Sequence, residues 1–341
     1  MKNVLVLGGS GFVGAHVCEK LVRAGASVTV PTRRRNNARK LMHLPTLTVL
    51  ELDVHDEAAL RQVMAGHDAV VNCVAILHGT AAQFERTHVD LARSLARACV
   101  ANQVQQLVHI SALGVSPAAP QTAPSQYLRS KSLGEHAIGQ AHGQAHEPAH
   151  EQAQLRDRAM AQTKAQADVR GPGVQVSILR PSVIFGAEDK FLNLFASLQK
   201  LAPFVPLAGA HARFAPVWVE DVAQAVLQCL QRRGRSSGPL VLELCGPEVF
   251  NLQQLVQLAG GWSGVGGGRG RAVLPLPHWA GYLQALLMEC APGVPLMSRD
   301  NLDSMKVDNV ATGAVPGLEL LGITPASMRA IAPAYLGRGA A

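Results

Sequence analysis

The stretch Val4-Leu-Val-Leu-Gly-Gly-Ser-Gly-Phe-Val-Gly14 decides how the rest of the chain is read. Four apolar residues read as a short buried strand, and a glycine-rich turn follows at once. Beyond the turn, Val13, Val17 and Leu21 recur at helical spacing. Strand, turn and helix together open a dinucleotide-binding βαβ unit. Gly8 permits the sharp turn, Gly11 lets backbone approach a pyrophosphate, and Gly14 lets helix and strand pack closely. The N–H groups and positive dipole end of the helix then face the phosphates. Three glycines alone are a weak signal, but after a strand and before an amphipathic helix they are a strong one. Gly8, Ser10, Gly11, Phe12, Val13 and Gly14 are accordingly assigned to the cofactor.

Strand and helix go on alternating. Ser27 to Val30 is a second strand, followed by Pro31-Thr32-Arg33-Arg34-Arg35. The acid that would bind the ribose hydroxyls of NAD is missing from that strand end, and a guanidinium there can clasp a 2′-phosphate. Arg33 and Arg34 therefore predict NADP(H) in preference to NAD(H). Leu47 to Leu52 is a third strand, and Asp53 with Val54 at its end resembles the Asp-hydrophobic pair that contacts the adenine in related nucleotide folds. An Asp at a strand end is also an ordinary helix cap. A helix over 57–64, a strand over 69–74, a helix over 89–101 and a strand over 106–110 follow. The small Ala75 leaves room for the nicotinamide half of the cofactor. This alternation with short loops predicts an α/β fold, a Rossmann-type doubly wound parallel sheet.

Composition narrows the class. Nearly half of the 341 residues are apolar, enough for a sizeable core. The formal charge is +7, which favours phosphate-bearing ligands or an anionic surface. No nucleic-acid-binding motif accompanies it, so nucleic acid is not expected as a partner. Six scattered cysteines, without a close pair, read as a reduced interior rather than a disulfide framework or zinc site. The first strand starts by residue 3 and no apolar run is long enough to span a bilayer, so a cytoplasmic location is expected.

Tyr127-Leu-Arg-Ser-Lys131 places a phenol and an ammonium on one helix face. The ammonium is expected to lower the tyrosine pKa toward acid–base use and to hold ribose hydroxyls. The glycine turn, this pair, Arg180-Pro181 with Gly186, and Val219-Glu-Asp-Val222 resemble, in order, the motifs of extended and atypical short-chain dehydrogenases/reductases. Finer details are similar to one atypical branch: Phe185-Gly-Ala-Glu-Asp-Lys-Phe-Leu-Asn193, Leu207-Ala-Gly209, Ser298-Arg-Asp-Asn301 and Pro316-Gly-Leu-Glu-Leu-Leu-Gly322. That branch contains the NADPH-carrying accessory subunit of mitochondrial complex I, its bacterial homologues, and relatives tied to ubiquinone biosynthesis. The resemblance implies Tyr127, Lys131 and Ser111 as catalytic residues, Lys131 and Pro181 beside the cofactor, and a small-molecule substrate. It also implies a link to a respiratory or quinone-synthesising complex. One departure stands out: the positions just after Ser111, where catalytic members carry Ser or Thr, are Ala112 and Leu113. A protein that binds the nucleotide without turnover, as an assembly or redox-sensing module, is the alternative.

Residues 1–186 are expected to form the nucleotide-binding domain, with a low-complexity Gln/Ala/His insertion over 139–170. Residues 187–341 are expected to form a smaller lobe, interleaved with the sheet through 215–245. His142, His146 and His150 recur every four residues, but Pro148 interrupts them and no metal site is assigned. His109, inside a strand, reads as packed. Gly260 to Gly270 reads as a hinge or disordered loop. The apolar helix over 280–288, with Trp279 and Tyr282 near its start and Arg269 and Arg271 before it, is either packed on the core or an interfacial element that touches a membrane.

Overall fold

The run Val4 to Leu7 is buried without alternation because its strand is covered on both faces. In the computed structural model, which describes residues 2–144, 173–232, 236–290, 295 and 297–337, β1 (Asn3–Leu7) lies inside a seven-stranded sheet. β2 (Ser27–Thr32) and β3 (Leu47–Glu51) extend it on one side. On the other side lie β4 (Ala69–Asn72), β5 (Gln106–Ile110), β6 (Gln175–Pro181) and an edge strand, Leu240–Leu244. Every pairing is parallel, with Val4 opposite both Val28 and Ala69. Side chains alternate between two layers. Val4 and Val6 join a core with Val17, Cys18 and Leu21 of helix α1 (Phe12–Arg23), while Leu5 and Leu7 join Leu60, Met64 and Leu95 on the opposite face.

The chain winds outward both ways from β1, so a crevice opens at the carboxyl ends of β1 and β4, the switch point where such sheets bind ligands. Helix α2 (Glu57–Met64) starts on Asp56, which accepts from the Ala58 and Ala59 N–H groups. The next helical run begins earlier than residue 89. Thr80 and Gln83 form a capping box ahead of α3 (Ala81–Phe84), a π-helical turn spans Glu85–Asp90, and α4 (Leu91–Ala101) continues it. The capping box is the local sequence signal for that earlier start.

From Phe185 onward a third core gathers Phe185, Leu192, Phe195, Phe214, Leu255 and Met328. Short pairs frame it, such as Ala272–Pro275 parallel to Phe204–Leu207. The glycine run is not one loop: Gly260 and Gly261 lie in the last turn of helix Leu252–Trp262, where a Cβ on Gly260 would strike the Gln199 side chain. Most of the Gln/Ala/His stretch, including His146 and His150, lies outside the described residues. His142 has both ring nitrogens engaged: Nδ1 accepts from Val176 N–H at 3.2 Å, and Nε2 lies 3.1 Å from the Ser236 carbonyl. Among the described residues, no helix is long and apolar enough to cross a membrane.

Candidate functional site

The glycine turn is shaped by close approach. Gly8 has φ +75°, and a Cβ on it would lie 3.0 Å from the backbone of Cys73 and Val74 at the end of β4. A Cβ on Gly14 would lie 2.2 Å from the Gly8 carbonyl oxygen, so only glycine lets α1 start this near β1. Gly11 is the N-cap of α1. No side chain caps that helix and its first turn carries no acid, whereas α2 and α3 are capped by their own sequence. The first N–H groups of α1 are thus left for an anion, and the donor set suits a pyrophosphate. Ser10, Phe12 and Val13 are half-buried around this turn. Val54 is half-buried, Ala75 is exposed at the crevice and Pro181 is buried at the end of β6. Asp53 is exposed and pairs with Arg86 at 3.6 Å.

Helix α5 (Gln126–Gly139) carries Tyr127, Lys131 and Glu135 on successive turns of one face. Lys131 is 2% exposed and donates to the Ile110 carbonyl at the end of β5, 2.7 Å away. Burial draws its ammonium down to about 8, against the opposing pull of Glu135 and Cys73. Tyr127 differs from expectation. Burial pushes its phenol up to about 12, and Lys131 is turned to a backbone carbonyl, so the ammonium does not lower it. Tyr127 is thereby a phenol that stays protonated through the neutral range.

The Ser111 hydroxyl is engaged within the protein. Its hydroxyl donates to Glu135 Oε2 at 2.6 Å, and the same carboxylate is clasped by Arg180, whose Nε lies 3.1 Å from both oxygens. Glu135 is 3% exposed. A buried carboxylate needs such partners, and it takes the serine as one of them. Ala112 and Leu113, also buried, bring no donor.

Several participants escaped the sequence reading. His88, in the π-helical turn, accepts from the Ile76 N–H through Nε2 at 3.1 Å, which leaves the proton on Nδ1 to donate to Ser130 Oγ at 2.8 Å. Burial holds its ring neutral, with a pKa lowered to about 3. It stands edge-on to Tyr127, with centroids 5.6 Å apart. His88 thus joins the loop after β4 to α5. His109, by contrast, is packed as its place inside a strand predicts: it is buried in β5 and accepts from Asn72 Nδ2 at 3.1 Å. Glu51, opposite Thr32 across β2 and β3, accepts from the Arg35 N–H at 3.1 Å. An acid therefore reaches the end of β2 from the neighbouring strand.

Fold and crevice define a nicotinamide-dinucleotide-binding protein of the oxidoreductase/epimerase type. The profile described as "NAD dependent epimerase/dehydratase family" matches residues 4–245, and the chain belongs to that family. It is homologous, at modest identity, to the complex I subunit branch. It is 28% identical over 335 residues to mouse "NADH dehydrogenase (ubiquinone) 1 alpha subcomplex subunit 9, mitochondrial", covering 94% of this chain and 76% of that one. It is also 28% identical over 241 residues to the "4-hydroxy-2-methyl-3-oxo-4-farnesyl-3,4-dihydroquinoline-1-oxide ketoreductase" of Stigmatella aurantiaca, covering 67% of this chain and 65% of that protein. Among solved structures the fold matches DesIV, a dTDP-glucose 4,6-dehydratase from Streptomyces venezuelae with NAD and TYD bound, at TM-score 0.68 and 19% identity, over 98% of this chain and 95% of that one. It also matches the Bordetella bronchiseptica enzyme WbmH in complex with NAD⁺, at TM-score 0.63 and 17% identity, over the full length of both chains.

These matches correct the cofactor expectation. The neighbouring structures described with a dinucleotide hold NAD, and the preference for NADP(H) does not stand. Arg33 and Arg34 are exposed, and Glu51 lies opposite Thr32 at the end of β2.

Proposed function

We propose that this chain is a nicotinamide-dinucleotide-dependent oxidoreductase acting on a ketone or quinone-type oxygen, with Tyr127 as the proton donor. The observation that carries this reading is the placement of Tyr127 and the buried Lys131 one turn apart on α5, with burial holding the phenol protonated. The glycine turn and the uncapped start of α1 hold the pyrophosphate, and Lys131 holds the adjoining ribose. When bound, the dinucleotide supplies a hydride. Tyr127 delivers a proton to the substrate oxygen, and His88 and the Glu135–Arg180 pair keep α5 in place. The quinone-type substrate is supported by the names of the complex I subunit and the quinoline-oxide ketoreductase among the relatives.

A second reading, nucleotide binding without turnover, is favoured by the commitment of Ser111 to Glu135. NADH oxidation with a short-chain ubiquinone analogue, followed by absorbance, separates the two. The first reading expects turnover that Tyr127→Phe lowers by about a hundredfold or more while NADH fluorescence still reports binding. Bound NADH that is never oxidised sinks it in favour of the second.

The same reading extends to location: peripheral attachment to the inner face of the cytoplasmic membrane or to a complex held there. Helix His278–Cys290 buries Gly281 and Ala285 and turns Trp279, Leu283, Leu286 and Leu287 outward, with Trp279 72% exposed. These four recur at i, i+4, i+7 and i+8, an apolar stripe that no core covers among the described residues. Arg269 and Arg271 precede it, and basic flanks suit anionic headgroups.

A further inference from the structure

The helix that carries Tyr127 has no acid of its own in its first turn. Ser125, its N-cap, accepts from the Leu128 N–H at 3.1 Å. The N–H groups of Gln126 and Tyr127 must find acceptors elsewhere. One carboxylate takes both. Asp300, in helix Arg299–Ser304, accepts from Gln126 through Oδ1 at 2.6 Å and from Tyr127 through Oδ2 at 3.1 Å. The Ser125 and Ser304 hydroxyl oxygens lie 2.8 Å apart beside it. Later turns of α5 are fastened to the sheet by the Lys131–Ile110 bond and the Glu135–Arg180 pair. The first turn, where helices fray, is fastened by a residue 173 positions further on.

We propose that Asp300 is a positioning residue for Tyr127, holding the phenol in the crevice by capping the first turn of α5 from the C-terminal segment. The proposal rests on the reading of Tyr127 as proton donor. Asp300 acts through backbone and not on the reacting atoms. Its charge matters, because a carboxylate offers an acceptor oxygen to each N–H, whereas a carboxamide offers only one acceptor. The negative charge also complements the positive end of the helix. Helix Arg299–Ser304 is in turn tied to helix His278–Cys290. Arg299 Nε lies 2.9 Å from Glu289 Oε2, and the Tyr282 hydroxyl bonds Asp303. The exposed apolar helix and the Tyr127 helix therefore share one brace.

The chain has three tyrosines, 127, 282 and 335, so the ultraviolet absorbance of the full chain minus that of the matching Tyr127→Phe protein isolates the Tyr127 phenol and leaves the Tyr282–Asp303 bond of the brace intact. In that difference Tyr127 is expected to titrate near 12. Asp300→Asn is expected to bring the midpoint down by about one unit or more, toward the ordinary value near 10, as water reaches a loosened first turn. Affinity for NADH should stay within about twofold, because the glycine turn is untouched. Asp300→Glu, which keeps both acceptor oxygens, should restore most of the shift. With a quinone analogue, kcat is expected to fall about tenfold with KM little changed, the mark of misplacement rather than lost binding. A folded Asp300→Asn protein whose Tyr127 midpoint does not move overturns the proposal. Should that variant fail to fold, Ser304→Ala is expected to give a smaller downward shift, and its absence overturns the proposal equally. Wild-type protein without turnover defeats only the proton-donor reading, since the titration still reports whether Asp300 holds Tyr127.

Discussion

Replacing Lys131 by methionine should make the protein more stable while weakening its hold on the cofactor. The ammonium sits 2% exposed, and burial lowers its pKa from the ordinary 10.5 to about 8. Each unit of such a shift is about 1.4 kcal/mol, so keeping this lysine charged in the folded protein at neutral pH costs about 3 kcal/mol. Methionine fills similar space without the charge, but it leaves the Ile110 carbonyl without its donor, a loss of about 1–2 kcal/mol. The net gain expected at pH 7 is about 1–2 kcal/mol. The pH dependence is the sharper test. Because the folded pKa lies below the unfolded one, the unfolded chain retains between about 8 and 10.5 a proton that the folded chain has released. The lysine's contribution to stability is therefore full only above that window and is lost as pH falls through it. Wild-type stability should rise across the window relative to Lys131→Met, narrowing the gap between them by up to about 3 kcal/mol. Urea unfolding of both proteins at a series of pH values, read by tryptophan fluorescence, measures that gap, and other titrating groups cancel in the difference. A gap that stays constant with pH would refute the argument. NADH affinity should fall about tenfold or more in the same variant, as expected for a lost charge-assisted bond to ribose.

Two further outcomes follow from the same structure. Glu135→Gln leaves Arg180, 16% exposed, without its counter-charge and should cost about 3 kcal/mol; replacing both residues by methionine should recover most of that, and a double variant no better than the single one contradicts the pairing. Wild-type protein should sediment with anionic vesicles at low salt and leave a salt-resistant bound fraction, which Leu283→Glu with Leu287→Glu removes; recovery wholly in the supernatant at low salt sinks the membrane reading.

Most of the nucleotide-binding half could be read directly from the chain, and the reasons are local. The run Val4 to Leu7, the spacing of Gly8, Gly11 and Gly14, and the return of Val17 and Leu21 one turn apart express sterics and periodicity over a few residues. Each holds whatever the rest of the chain does. The same is true of Tyr127 and Lys131, which a single helix places on one face. The start of the helix at Ala81 was equally local, in the capping box of Thr80 and Gln83, but it carried no apolar stripe to announce it.

Tertiary structure decided what those residues do. Whether Ser111 offers its hydroxyl to a ligand depends on Glu135, 24 positions away, and on Arg180 beyond that. Whether an acid meets the backbone after β2 depends on the register that sets Glu51 opposite Thr32. The first turn of α5 depends on Asp300, and the tautomer of His88 on Ile76 and Ser130. A hydrogen bond or ion pair acts over about 3 Å while its partners stand tens to hundreds of residues apart. Periodicity is a property of neighbours along the chain. The partner of a buried charge is chosen only when the chain closes around it.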